Sequence, residues 1–246
     1  MEEKQVKKIA AIADIHVKES DKGKWVDFFR KVSETADALC ICGDLTDTGD
    51  ESEAEVLAEE LKSCSIPVIG VLGNHDHEKG RHKLIRSILI KAGMHMLDGE
   101  AVVIGGVGFA GVKGFGGGFD RYMLSMFGEG ANKAFVQEAV DEALHLDRAL
   151  ARIDQDHEGI EHKIALLHYS PIQATVEGEP EVIYPFLGSS RLAEPLARRN
   201  VRAAFHGHAH AGKLEGEAPN GVKVYNVSTP VLHRSNYELP FFLLEL

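Results

Sequence analysis

Short apolar runs that each end in a polar cluster constrain the fold of this chain more than any other feature. Three such runs lie at residues 9–13, 38–42 and 68–72, and amphipathic stretches separate them. Runs so continuously apolar suit strands covered on both faces, and the stretches between them have helical periodicity. The order strand, helix, strand, helix, strand predicts an α/β fold.

The polar clusters contain Asp14 and His16 after the first run, Asp44 after the second, and Gly-Asn-His-Asp at residues 73–76 after the third. In open α/β sheets, ligands and catalytic groups gather beyond the carboxyl ends of the strands. We therefore expect the three clusters to converge in space.

The rest of the chain continues the alternation. Helices are expected over residues 81–92, 132–156 and 189–200. Two further buried strands lead to polar residues, the first to His168 and the second to Gly-His-Ala-His at residues 207–210. These residues extend the set of polar groups expected at strand ends.

Turn signals predict two hairpins. One is expected to turn at Asp98 and Gly99 and the other at Asn220 and Gly221, followed by a closing strand.

The sequence contains no internal repeat, low-complexity tract or linker, which favours one domain over residues 1–246. Two long segments, residues 113–130 and 171–188, follow strand ends without clear periodicity, and we expect them to form loops that border the site.

Composition narrows the possible partners. The net charge of -11 disfavours a surface that binds nucleic acid, and no apolar run is long enough to span a membrane. The N-terminal residues lack the pattern of a secretory signal, so a cytoplasmic protein is expected. Cys40 and Cys42 are expected to be buried thiols, since three cysteines do not complete a thiolate metal site or a disulfide framework.

Taken together, the polar blocks resemble the signature of the calcineurin-like metallophosphoesterase superfamily. They run in order as D-x-H, G-D-x-x-D, G-N-H-D, H and G-H-x-H, from Asp14 to His210. The wording of the second block is similar to that of the bacterial phosphodiesterase and phosphohydrolase branches. The resemblance implies a four-layer α-β-β-α sandwich with two facing mixed sheets, and a hydrolase that acts on phosphoesters.

Imidazole and carboxylate ligands without a thiolate suit Mn, Fe, Zn, Co or Ni better than Ca or Mg. Two divalent ions need more ligands than one tetrahedral site, and the chain offers seven candidates: Asp14, His16, Asp44, Asn74, His168, His208 and His210. The resemblance implies one site from Asp14, His16, Asp44 and His210, and the other from Asp44, Asn74, His168 and His208. Asp44 is the expected bridge, because a ligand shared by two dications must carry negative charge.

The resemblance also implies how the ester is cleaved. A water or hydroxide that bridges the metals is the expected nucleophile. His75 is the expected general acid, and Asp47 the residue that orients it. Asp76 is expected to serve structure by capping the next helix or binding backbone amides, and His206 to be a core or supporting residue, since the ligand set is complete without it.

The sequence departs from the Ser/Thr protein phosphatases of the superfamily at Thr48, where those enzymes have an arginine that binds substrate phosphate. Arg121, and with less support Arg191, is a candidate replacement cation. A phosphodiesterase is the favoured function. A phosphomonoesterase acting on a small phosphorylated metabolite, a nuclease and a non-catalytic scaffold stay open as alternatives. The partner is expected to be a small phosphoester, and the oligomeric state is left open.

Overall fold

Two facing β-sheets form the centre of the computed structural model, which describes residues 5–157 and 159–246. The first sheet has the strand order β11-β1-β2-β3-β4. Its strands are β1 (Lys8–Ile12), β2 (Ala38–Cys42), β3 (Val68–Val71), β4 (His95–Met96) and β11 (Phe242–Glu245). Strands β1 to β4 run parallel and β11 antiparallel to β1, so the sheet is mixed.

The second sheet has the order β5-β6-β7-β8-β10-β9. Its strands are β5 (Glu100–Ile104), β6 (Val107–Gly111), β7 (His162–Leu166), β8 (Ala203–His206), β9 (Glu215–Glu217) and β10 (Lys223–Asn226). The central pairs are parallel, and β5 and β9 are antiparallel to their neighbours. The polar ends of β7 and β8 therefore lie side by side.

Helices alternate with the strands. The longer ones are α1 (Val26–Thr35), α2 (Glu51–Glu60), α4 (His82–Lys91) and α5 (Gly130–Asp156). The shorter ones are α3 (Asn74–His77), α6 (Tyr184–Leu187), α7 (Ala193–Arg198) and α8 (Thr229–Arg234). Apolar residues of α1, α2 and α4 belong to the core of the first sheet, and those of α5 and α7 to that of the second.

Burial explains the continuous apolar runs. Every residue of β2 and β6 is buried, and in β1 only Lys8 is exposed, because helices cover one face of each sheet and the other sheet covers the opposite face. Cys40 and Cys42 are accordingly buried and free. At Gly111 in β6 a side chain would overlap Val71 of the first sheet, so the two sheets pack closely here. The fold is the expected four-layer sandwich.

The prediction of a hairpin turn at Asp98 and Gly99 was wrong. Strand β4 pairs with β3 in the first sheet, whereas β5 pairs with β6 in the second. The residues between them carry the chain from one sheet to the other. The hairpin turns instead at Gly105 and Gly106, whose φ values of 53° and 82° suit a tight two-residue turn. The predicted turn at Asn220 and Gly221 does join two antiparallel strands.

Residues that follow β1 are held by the distant segment 227–229. The amide of Ala13 donates to the Val227 carbonyl at 2.9 Å, and the amide of Thr229 donates to the Ala13 carbonyl at 3.0 Å. The end of β1 is thereby attached to residues that follow β10.

No helix within the described residues is long and apolar enough to cross a membrane. The single domain over residues 1–246 stays a prediction.

Candidate metal centre

Seven polar side chains meet where the strands of both sheets end. They come from the segments after β1, β2 and β3 in the first sheet and after β7 and β8 in the second: Asp14, His16, Asp44, Asn74, His168, His208 and His210. The convergence expected from the polar clusters is therefore present in the fold.

Asp14, His16 and His210 form the first group, with their ligand atoms within 4.8 Å of one another. Nε2 of His210 lies 2.8 Å from Oδ1 of Asp14. The Asp14 carboxylate is buried and accepts from the backbone amide of His208 at 3.2 and 3.1 Å. Spacings near 3 Å are those of neighbouring ligands around one ion, given metal–ligand bonds of about 2.0 to 2.2 Å.

Asp44, His168 and His208 form the second group, also within 4.8 Å. Nε2 of His168 lies 2.8 Å from Oδ1 of Asn74 and 3.3 Å from Oδ1 of Asp44. The other carboxylate oxygen of Asp44, Oδ2, lies 3.9 Å from Nε2 of His16 in the first group. Asp44 thus faces both groups, which is the position required of a bridging ligand.

The donor atoms of this cluster fit a metal better than they fit one another. Nδ1 of His168 lies 3.0 Å from the Cys42 carbonyl. A carbonyl only accepts, so Nδ1 carries the hydrogen and Nε2 turns its lone pair toward two oxygen acceptors. A cation between them would relieve that contact. Nδ1 of His16 is buried and has no hydrogen-bond partner in the part of the chain that is described. Both observations suit divalent metal ions of the nitrogen- and oxygen-binding class.

The main chain is strained at these residues. The φ values of Asp14, His16, Asp44 and His208 are 58°, 42°, 50° and 67°. Residues other than glycine seldom adopt this left-handed region. Such conformations persist only where the surrounding structure enforces them, and they concentrate at functional sites. Half of the eight non-glycine residues with positive φ in the described chain are candidate metal ligands.

Two glycines of the motifs leave space for ligands from other blocks. A side chain at Gly73 would overlap the carboxylate of Asp44, and one at Gly207 would overlap that of Asp14. The carboxylate of Asp44 therefore requires glycine at position 73, in the G-N-H-D block. The carboxylate of Asp14 likewise requires glycine at position 207, in the G-H-x-H block. Close packing between blocks explains why glycine precedes these ligands.

His75 stands beside the cluster with its side chain 43% exposed. Its Nδ1 donates to the backbone carbonyl of Asp47 at 2.6 Å, while Nε2 lies 3.9 Å from Oδ2 of Asp44. His75 is also within ligand distance of His16 and Asp44. Burial lowers the pKa of His75, but the hydrogen bond to Asp47 and the nearby carboxylates outweigh it, so that the pKa lies above its usual value.

Asp47 is next to His75, but its carboxylate does not make the expected contact. It points toward Nδ1 of His16 at 3.8 Å and Nζ of Lys18 at 3.6 Å. The Asp47 atom that contacts the His75 ring is the main-chain carbonyl, and the orienting role of Asp47 stays a prediction. The Asp47 carboxylate acts on His75 through its charge.

Asp76 and His206 have structural contacts. The buried carboxylate of Asp76 accepts from Gly73, Leu45 and Thr46, which ties the ends of β2 and β3 together. Burial, helped by the charge of Asp44, raises the pKa of Asp76 to about 6. Both ring nitrogens of buried His206 are engaged, with the Gly207 carbonyl and the Thr175 hydroxyl, each at 2.8 Å. Neither nitrogen is free for a metal.

The candidate replacement cations contact other residues and not the ligand side chains. The exposed guanidinium of Arg121 stacks on Tyr122, 4.7 Å from the ring centroid, and donates to its hydroxyl. Arg191 donates to the carbonyl of Leu124 at 3.0 Å and holds a loop. Thr48, at the position of the missing arginine, bonds Glu53 through both its amide and its hydroxyl. A role for Arg121 toward substrate stays a prediction.

Three further contacts surround the site. The backbone carbonyl of Phe186, in the loop 171–188, accepts from Nε2 of His208 at 3.1 Å, so this loop borders the cluster as expected. The ring of Tyr169 lies 4.4 Å from that of His208, and burial raises the pKa of its phenol to about 12. Nζ of Lys113 lies 5.4 Å from the Tyr169 ring. The contacts of Tyr169 and Lys113 were not anticipated, and their only sequence signal was that Tyr169 directly follows a ligand.

The sequence model of a family described as calcineurin-like phosphoesterase matches residues 7–212, which include all seven candidate ligands. The chain belongs to the calcineurin-like phosphoesterase family. As a member it is a phosphoester hydrolase with side chains arranged to bind metal. No curated protein sequence matches the chain significantly.

Solved structures share the fold of this phosphoesterase at low sequence identity. The phosphopantetheinyl hydrolase of Mycobacterium tuberculosis superposes with a TM-score of 0.65 at 14% identity, covering 96% of this chain and 95% of its own. The protein TT1561 of Thermus thermophilus gives 0.61 at 16% identity, with coverage of 98% and 99%. GAP50 of Plasmodium, described as the anchor in the inner membrane complex, gives 0.57 at 13% identity, covering 92% of this chain and 73% of its own.

Proposed function

We propose that this phosphoesterase is a dinuclear metal-dependent phosphodiesterase that acts on a small substrate in the cytoplasm. Asp14, His16, Asp44 and His210 would hold one ion, and Asp44, Asn74, His168 and His208 the other. When bound, the ions would supply a nucleophilic water near neutral pH and balance charge on the phosphoryl oxygens. Mn, Fe, Zn, Co and Ni are the candidates that suit this ligand set.

The absence of lysine and arginine partners at the ligand side chains, within the described residues, supports a diester over a monoester as the substrate. Within residues 5–157 and 159–246, no lysine or arginine forms a hydrogen bond or ion pair with the side chains of the seven candidate ligands. A phosphate monoester has a charge of about −1.5 to −2 at pH 7, whereas a diester has a single negative charge. A ligand cluster without a directly paired lysine or arginine favours the less charged ester.

In this proposal His75 would deliver a proton to the leaving alkoxide. Its Nδ1 is fixed by the Asp47 carbonyl, which directs Nε2 to the side of Asp44. A histidine near the reacting ester but outside the metal set suits general acid catalysis, because it remains free to change protonation state.

The alternatives make different demands on the molecule. A phosphomonoesterase would need an added cation, for which Arg121 is the candidate. A nuclease would need a basic surface, which the net charge of -11 disfavours. GAP50, described as an anchor, has a similar fold, so the fold alone does not imply catalysis. The complete ligand set and the free His75 support an enzyme over a scaffold.

The deciding experiment compares bis-4-nitrophenyl phosphate with 4-nitrophenyl phosphate after chelation and reconstitution with each candidate metal. We expect chelation to remove activity, at least one metal to restore it, and the diester to be cleaved faster. The Asp44→Asn protein measures the background. Faster cleavage of the monoester would contradict the diesterase, and bound metal without turnover of either ester would favour the scaffold.

A further inference from the structure

A cleft of about 220 Å³ opens between the two loops that follow β6 and β7. It is lined by Gly118, Phe119, Tyr122, Gln173, Glu181, Tyr184 and Pro185. The loops are joined through their main chains, since the amide of Gly117 donates to the Pro185 carbonyl at 2.6 Å and that of Gly118 to the Gly188 carbonyl at 2.9 Å. These main-chain hydrogen bonds fix the two loops that form the cleft relative to each other.

The cleft adjoins the metal centre. Phe119 and Tyr184, which line it, pack in one apolar cluster with Ala209, the residue between the ligands His208 and His210. Pro185 precedes Phe186, whose carbonyl accepts from His208. A substrate whose phosphate faces the ligands can thus place its alcohol part in this cleft.

Charge restricts what can enter. Glu181 is the only charged residue among those that line the cleft, and its carboxylate has no hydrogen-bond or ion-pair partner among the described residues. The neighbouring carboxylates are engaged elsewhere, Glu177 with Nζ of Lys213 and Glu179 with the amide of Ala211, both at 2.6 Å. A second anionic group on the substrate would meet an uncompensated carboxylate here, so the cleft disfavours such groups.

Aromatic rings complete the site. The rings of Phe119 and Tyr184 meet edge to face at 6.2 Å, and the Tyr122 side chain is exposed at the rim. Ring faces attract cations within about 6 Å of the centroid. The Arg121 guanidinium already lies over Tyr122, so the ring available to a second cation is that of Tyr184. Aromatic faces beside an unpaired carboxylate are the chemistry that recognises an organic ammonium group.

We propose that this cleft binds an ammonium group carried by the alcohol part of the substrate, so that the preferred phosphoester is zwitterionic. This inference rests on the proposed function, because it assigns the substrate class of the same site. The phosphate would face the metal ligands, and the cation would lie between Tyr184 and Glu181.

Two diesters of equal shape test the proposal. 4-Nitrophenyl phosphocholine carries a trimethylammonium group, and 4-nitrophenyl 3,3-dimethylbutyl phosphate has an uncharged tert-butyl group in its place. We expect kcat/KM to favour the ammonium ester by about tenfold, within the range of cation–π and charge contributions. Glu181→Gln and Tyr184→Leu should each lower this ratio at least about threefold.

Glu177→Gln is the matched control, because it removes the same charge from the same loop at a residue that does not line the cleft. It should leave the ratio within about twofold of the wild type. Metal content and thermal midpoint are measured for each variant. A wild-type ratio near one, or equal effects of Glu181→Gln and Glu177→Gln, would overturn the proposal.

A second measurement separates this inference from the proposed function. Calorimetry compares the binding of phosphocholine and 3,3-dimethylbutyl phosphate to the metal-loaded protein, without turnover. Tighter binding of phosphocholine that is lost in Glu181→Gln supports the cleft even if no ester is hydrolysed. Hydrolysis of both diesters with equal binding of the two phosphates would retain the phosphodiesterase and reject the ammonium site.

Discussion

The strand-end turns that carry the candidate ligands and the two loops beside them differ in almost every physical respect. The turns are largely buried, strained and cross-linked, with each glycine fitted against a ligand from another block. The loops expose Tyr122, Phe127, Val182 and Phe186, with residue exposures between 60% and 89%. One region holds fixed polar atoms, and the other offers apolar surface to an incoming molecule.

This difference indicates a division of labour. Precise placement is required where charge develops during bond cleavage, and preorganised groups achieve it. Substrate choice depends on contacts to the rest of the ester, which exposed loops can change without disturbing the ligands. Changes in the turns should therefore affect all esters alike, and changes in the loops should affect the ratio between esters.

The largest effect is expected from Asp44→Asn. An amide lacks the negative charge needed between two cations, so both ions should be lost and activity should fall at least ~10³-fold on every ester. Metal content by plasma spectrometry checks this. His16→Ala, which removes a ligand of one group only, should mainly release one ion. Two tightly bound ions in Asp44→Asn would refute the bridging role.

His75→Ala should leave the metals bound but slow alkyl diesters by ~10² to 10⁴-fold, the usual contribution of a general acid. Nitrophenyl esters should be less affected, since nitrophenolate leaves without protonation. Asp47→Asn keeps the main-chain carbonyl that fixes His75, so its loss should be smaller. The measurement is a plot of log rate against leaving-group pKa at matched metal content. A mutant slope equal to that of the wild type would exclude His75 as the proton donor.

Gly207→Ala tests whether the turn at Gly207 is packed too closely against Asp14 to accept a side chain. The added methyl must displace the Asp14 carboxylate, and a misplacement of about 1 Å in a catalytic site can cost ~10² in rate. Gly130→Ala is the control, because a methyl at that helix start meets no atom within 4 Å. Wild-type activity and metal content in Gly207→Ala would show that the turn can relax.

Arg121→Ala should have the smallest effect. Its guanidinium contacts Tyr122 and no candidate ligand, so we expect less than about a threefold change in kcat/KM for a diester, as for an exposed surface contact. The same assay with a monoester sharpens the comparison. A much larger loss on the monoester would show that Arg121 binds phosphate, and the loop would then share in the chemistry.

Much of the site could be predicted because its information is local. An apolar run followed by Asp, Asn or His marks each strand end, and parallel strands bring those ends together. The contact between the His75 ring and the Asp47 carbonyl could not be predicted as such, since every residue has a carbonyl. The sheet exchange at Asp98 and Gly99 was missed because a turn signal does not show which strands pair across it.

The attachment of Ala13 to residues 227–229 has a consequence for synthesis on the ribosome. Asp14 and His16 emerge early, but the backbone that holds them is fixed only after Val227 and Thr229 have been added. Residues up to Thr229 must leave the exit tunnel before the D-x-H turn can adopt its final shape. We expect nascent chains to bind metal weakly until that point.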